Sequence, residues 1–190
     1  MKEWIESHFR EHYELLKELC VIPAPSHKEE RRVDRLLEIL REMGYEAHSD
    51  EAKNVLVPLF DAGETDITVY AAHIDVVFPD ETPLPLYEEG GKLFCPGCGD
   101  NTANAAAILT ILRYVKEKGL KPKDPLLFAF DSCEEGLGNL KGVRAIMSAY
   151  SGRIKEFVSF DCMLDEMITG AIGSERWRVT AKTRGGHSWG

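Results

Sequence analysis

Two apolar runs set the architecture. "ITVYAAHID" (67–75) is rich in β-branched and aromatic residues, "LLFAFDSCEE" (126–135) opens as a continuous apolar run, and neither carries a charge until it ends in acids. A strand with one wet face alternates apolar and polar residues, so unbroken apolarity means burial on both faces. A sheet covered by helices supplies that environment. The stretch between the runs, "NTANAAAILTILRYVKEKG", is rich in Ala, Leu and Ile and closes on lysines and Gly119, as a helix does. Upstream, Ser26 and Glu29 have the spacing of a capping box, Val33, Leu36, Leu37, Leu40 and Met43 form one stripe, and Gly44 suits a helix exit. Ile5, Phe9, Leu16 and Leu19 recur at helical spacing over Glu3–Cys20.

"NVLVPLF" and "DITVYAA", separated by "DAGETD", read as strands paired with each other. "LKGVRAIMSAY" is expected as a helix, "EFVSF" as a strand, and "RWRVTAKTR" as a further strand. Strands alternating with helices give an α/β fold with a mainly parallel, mixed sheet. The 190 residues, 44% of them hydrophobic, suffice for one such domain and a remnant.

A net charge of −9 with no isolated basic block would repel a polyanion, so nucleic acid is not an expected partner. The first dozen residues mix both signs with aromatics, unlike a secretory signal, and no apolar run approaches a membrane span. A cytosolic protein without membrane contact is expected. The five cysteines, Cys20, Cys95, Cys98, Cys133 and Cys162, are expected as thiols.

In open α/β sheets ligands collect at the carboxyl ends of the strands. There the chain places His73 and Asp75, then Asp131, Glu134 and Glu135, then Asp161, with Asp100 just before the Ala-rich helix. Crowded carboxylates repel unless a cation compensates. One His with several acids suits zinc, with Mn²⁺ or Co²⁺ as substitutes, and the acids outnumber the needs of one four-coordinate ion. Asp75, two residues after His73, can accept the far ring N–H of the imidazole. Gly136 and Gly138 free the backbone to aim Glu134 and Glu135 at different targets. Taken singly, each of these is equally compatible with a solvated strand end; their joint position is what carries weight.

Two motifs point elsewhere. "CPGC" (95–98) lacks the second ligand pair of a zinc knuckle, and its glycines instead let a tight loop present Asp100. "HFREH" (8–12) matches the H-x-x-E-H pattern of inverted zinc peptidases, but its histidines sit among charges on an amphipathic helix.

With these residues placed, "AAHIDVVFPD", "GCGDNTANAAAIL" and "SCEEGLGN" together resemble the dinuclear zinc peptidase and deacylase family of peptidase T, carboxypeptidase G, acetylornithine deacetylase and succinyl-diaminopimelate desuccinylase. "NVLVPL" and "IGSERWRVTAKTRGGHSWG" resemble its early Asn strand and the entry to its inserted α+β lid, most like peptidase T. The resemblance implies a zinc exopeptidase-like catalytic domain over 1–173 and the first strand of a lid and dimerisation domain over 174–190. It implies two Zn²⁺: His73 and Asp161 on one, Glu135 on the other, Asp100 bridging. Asp75 would orient His73, Glu134 would be the general base, and His187 would reach a partner's site in a homodimer. Where relatives often carry Lys or a second Asp after the bridging Asp, this chain has Asn101 and Thr102. Relatives run on well past Gly190 and supply a last zinc-ligating His there, which no histidine of this chain replaces.

The implied reaction is hydrolysis of an amide in a small peptide. A deacylase or desuccinylase acting on N-acyl amino acids is the enzymatic alternative, and an inactive metal- or peptide-binding fragment is the alternative of another class.

Overall fold

The computed structural model describes residues 1–161, 165–173, 175 and 177–187. The thiol expected at Cys162, the domain boundary at Ser174 and the start of the lid strand at Arg176 lie outside the described residues.

The chain opens with α1 (Lys2–Ser7) and α2 (Phe9–Cys20), so the single helix expected there is broken at His8. His8 has φ −105°, its Nδ1 lies 2.8 Å from the Trp4 carbonyl oxygen, and its ring stacks on Trp4. Then follow α3 (Glu30–Glu42), β1 (His48–Ser49), β2 (Val55–Leu59) and β3 (Ile67–His73). A small hairpin, β4 (Tyr87–Glu89) and β5 (Lys92–Phe94), precedes α4 (Ala103–Glu117), β6 (Leu126–Asp131), α5 (Lys141–Ala149) and β7 (Ile154–Ser159).

The main sheet runs β1-β2-β6-β3-β7. β3, β6 and β7 are parallel, while β2 runs antiparallel to β6. β2 and β3 therefore do not pair with each other as expected; each takes one edge of β6. β6 and β7 occupy the two edges of β3, which leaves β2 the far edge of β6.

Both faces are covered. Ala72, Phe128 and Phe130 pack under Leu36, Leu40, Ile108 and Leu112 of α3 and α4, while Val69, Ala71, Leu127 and Ala129 pack with Ile146 of α5. The apolar residues of β3 and β6 thus meet one core or the other, which is why neither run alternates with charged residues. Leu36, Leu109 and Leu112 are 0% exposed, and each such side chain contributes about 1.5–3 kcal/mol of transfer free energy.

Residues 177–187, part of the expected lid strand, form no strand, and Trp177 and Val179 are exposed. No neighbouring strand among the described residues offers them a ladder, and a lone strand has nothing to hold it extended.

Candidate metal centre

The three parallel strands deliver their carboxyl ends to one rim. His73 ends β3, is 1% exposed, and stands in register with Asp131 at the end of β6. Its Nε2 lies 3.0 Å from Asp100 Oδ1 and 3.8 Å from Asp161 Oδ1. On the other side Nδ1 lies 3.1 Å from the Asp75 carbonyl oxygen and 3.5 Å from Asp75 Oδ1. Two sets of ligand atoms gather within 4.8 Å of one another: His73 with Asp100 and Asp161, and His73 with Glu134 and Glu135. The imidazole is enclosed, while the acids around its Nε2 open to solvent, as a site that admits a small solute must.

Local structure explains how these groups are aimed. Gly97 has φ +70°, and a Cβ there would stand 2.2 Å from Val76 Cγ1, so only glycine lets the loop press against the strand end. Thr102 Oγ1 donates to the Gly97 carbonyl at 2.8 Å and closes the turn around Asp100. Asn101 is buried; its Nδ2 donates to the Phe160 carbonyl at 2.7 Å, and its Oδ1 accepts from Asn104 at 2.6 Å. One amide therefore ties the loop of Asp100 to the strand end that carries Asp161.

Asp75 is the hub. Fully buried, it accepts Ser26 Oγ at 2.6 Å and the backbone N–H groups of Glu134 and Glu135 at 3.0 and 3.1 Å. One carboxylate thus fixes both the imidazole and the Glu-Glu turn. Glu29, also buried, accepts the His27 amide at 2.8 Å and the Cys133 amide at 3.2 Å. Ser26 and Glu29 make no capping box: α3 begins later, at Glu30, and both side chains turn to the rim instead. Carboxylates at these strand ends outcompete a helix terminus, because a buried charge needs donors more than an exposed N–H needs an acceptor.

The electrostatics are those of uncompensated negative charge. Burial alone would depress the His73 imidazole, but Asp75, with Asp131 and Asp161, overrides it and holds the pKa at about 9. Burial pushes the Asp131 carboxyl up to about 7, and its Oδ1 has no hydrogen-bond partner. Burial, then neighbouring acids, raises Glu134 and Glu135 as well. Asp75 goes the other way: burial opposes it, yet His73, Ser26 and the two amides keep it ionised below the usual range. The donor set fits a hard or borderline divalent cation, which would relieve the repulsion among these carboxylates.

The structure brings His73, Asp75, Asp100, Glu134, Glu135 and Asp161 together. His187, on the exposed stretch 177–187, belongs to neither donor group. His8 packs on Trp4, and His12 Nδ1 lies 2.8 Å from Thr110 Oγ1 of α4, so neither histidine of "HFREH" reaches the rim. Asn101, Ser26 and Glu29 escape sequence reasoning as site supports. Only the run of buried-looking polar residues beside Asp100 hints at Asn101.

No helix among the described residues is long and apolar enough to cross a membrane. The fold matches that of aminopeptidase PepT from Bacillus cereus with a TM-score of 0.63 at 20% identity, over 79% of this chain and 42% of that one. A tripeptidase from Staphylococcus aureus gives 0.61 at 21% over 79% and 42%, and human carnosine dipeptidase 1 gives 0.64 at 17% over 84% and 40%. The chain spans about two fifths of the length of these proteins, and at such identities the likeness establishes the fold. Comparison with curated proteins gives no match. The sequence profile of Peptidase family M20/M25/M40 matches residues 69–179, a span that holds His73, Asp100, Glu134, Glu135 and Asp161. With more than half of its length matched, the chain belongs to Peptidase family M20/M25/M40.

Proposed function

We propose that the chain forms the metal-binding part of a hydrolase that cleaves amide bonds in small peptides with two divalent cations, zinc first, Mn²⁺ or Co²⁺ as substitutes. The observation that carries this reading is the pair of donor groups that share His73, each with its ligand atoms within 4.8 Å. On this reading His73 and Asp161 would hold one cation and Glu135 the other, with Asp100 as a ligand available to both.

Such cations, when bound, lower the pKa of a water towards ~7 and polarise the scissile carbonyl. Glu134 takes the proton of that water and passes it to the departing nitrogen; its raised pKa suits both halves of the task. Asp75 holds the proton of His73 on Nδ1 and leaves Nε2 free to donate its lone pair. By pinning the amides of Glu134 and Glu135 it also fixes which acid faces the water and which the cation. In a homodimer of the full-length protein, His187 would approach the partner's site and stabilise the oxyanion.

The test is a full-length preparation assayed with di- and tripeptides beside N-acyl amino acids, with metal content measured on the same sample. Peptide turnover supports the proposal; turnover of N-acyl amino acids alone would assign a deacylase. Glu134→Gln should lower turnover by ~10²–10⁴-fold and leave metal content nearly intact. Retained activity in that variant would refute the role of Glu134.

A further inference from the structure

One charged side chain of α3 enters the core. Arg32 is 1% exposed, and every hydrogen bond it makes goes to a neutral oxygen. Its Nη2 donates to the Ile22 carbonyl at 2.5 Å, two residues past the end of α2. Its Nη1 donates to the Ile74 carbonyl at 2.7 Å and to Thr102 Oγ1 at 3.3 Å. Among the described residues no carboxylate pairs with it, and its Nε has no hydrogen-bond partner. Burial pulls its pKa down to about 10, and it stays charged at neutral pH. An enclosed cation without an anion is costly, and an apolar side chain of similar size would serve a plain core at least as well.

Its acceptors show what this group holds. Ile74 stands between His73 and Asp75, and its amide donates to the Asp131 carbonyl at 2.8 Å, so β6 grips one side of this residue and Arg32 the other. Thr102 closes the turn around Asp100, with its amide and its hydroxyl both donating to the Gly97 carbonyl, at 3.2 and 2.8 Å. A hydroxyl that accepts from a cation donates more strongly, so the guanidinium tightens the bond that closes the turn. One planar group therefore joins the strand end of His73 to the turn of Asp100, whose side chains face each other at 3.0 Å.

We propose that Arg32 is a positioning residue of the metal centre, whose forked guanidinium braces the strand end of His73 against the turn of Asp100 and fixes the separation of these two ligands. The brace is inferred from hydrogen bonds within the chain; its effect on a cation rests on the reading of His73 and Asp100 as ligands. A lysine keeps the charge and loses the fork, because its single nitrogen cannot stand where both Nη1 and Nη2 do. Ligand distances in a metal site hold to about 0.2 Å, so slack of that order in either segment weakens binding.

The experiment measures Co²⁺ affinity of the full-length protein by calorimetry and records the visible absorption of the bound ion, whose bands depend on the number and arrangement of its ligands. Amide exchange over 97–102 is followed on cation-free protein, and urea unfolding on the same samples. Arg32→Lys should fold, bind Co²⁺ roughly tenfold or more weakly with altered bands, and exchange its Thr102 amide faster relative to the amides of β6. Thr102→Val keeps the shape and removes the hydroxyl, so affinity, bands and exchange should move the same way, and Thr102→Ser should restore all three. Arg35→Gln, on the same helix but paired at the surface with Glu18 and Glu38, should match the parent. If Arg32→Lys does not fold, the two Thr102 variants decide. Loss of urea stability in Arg32→Lys and Thr102→Val with the parent's Co²⁺ affinity and bands overturns the proposal and leaves Arg32 a prop of the core. Unchanged exchange at position 102 in both overturns the brace itself. A parent that binds no Co²⁺ would instead overturn the metal centre, with amide exchange still deciding the brace.

Discussion

Asp75→Asn is the most demanding single change at this site, because the side chain keeps its shape and loses only charge and accepting capacity. The carboxylate accepts three hydrogen bonds: Ser26 Oγ and the Glu135 amide on Oδ2, and the Glu134 amide on Oδ1. An asparagine has one accepting oxygen. Placed at the Oδ2 position it keeps two bonds, but its NH₂ then opposes the Glu134 N–H. One buried, unsatisfied N–H costs about 1–3 kcal/mol, and the two surviving bonds each lose about 1 kcal/mol when the acceptor is neutral. The sum, about 3–5 kcal/mol, is a large part of the 5–15 kcal/mol that holds an ordinary domain together. Chelator-treated protein unfolded in urea would measure it.

The same variant carries a pH signature. The His73 pKa is held at about 9 against an ordinary 6.5, chiefly by Asp75 once burial is overcome. A raised folded-state pKa stabilises fully below about 6.5, and this stabilisation is lost as pH rises through about 9. Cation-free parent protein should therefore weaken across that window, and Asp75→Asn should flatten the profile. A loss under about 1 kcal/mol with an unchanged profile would refute the assignment of Asp75 as the hub.

Asn101→Ala removes the bond to the Phe160 carbonyl and leaves that acceptor exposed to no donor. It should destabilise by about 1–3 kcal/mol and weaken divalent-cation binding measured by titration; unchanged affinity would show that Asp100 and Asp161 hold their places without it. Gly97→Ala places a Cβ 2.2 Å from Val76 at φ +70°. Thermal unfolding should report a loss of about 1–3 kcal/mol, and a neutral result would mean that the loop shifts freely. On the proposed reading a cation held by His73 displaces its proton, so affinity should rise with pH up to about 9. Calorimetry in buffers of different ionisation enthalpy counts the protons released, and a pH-independent affinity would exclude His73 as a ligand.

Sequence by itself determined the elements and the rim. A period-3.6 stripe marks α3, an Ala-, Leu- and Ile-rich run closing on lysines and Gly119 marks α4, and unbroken apolar runs mark β3 and β6, because an element's pattern is imposed by its own backbone and by how many of its faces are buried. The acids at the strand ends are legible for a related reason: parallel strands end on one side, so residues scattered from His73 to Asp161 must share it.

Tertiary structure alone decided who pairs with whom. β2 flanks β6 rather than β3, since pairing depends on which edge the crossover leaves vacant and no local signal records that. Ser26 and Glu29 keep the spacing of a capping box, yet serve Asp75 and the turn at Cys133, because the strongest buried acceptor or donor within reach claims a side chain, whatever its neighbours in sequence suggest. Asn101 as a tie between two loops was equally illegible. Such contacts join residues far apart along the chain, and only the packing of the sheet brings them within bonding distance.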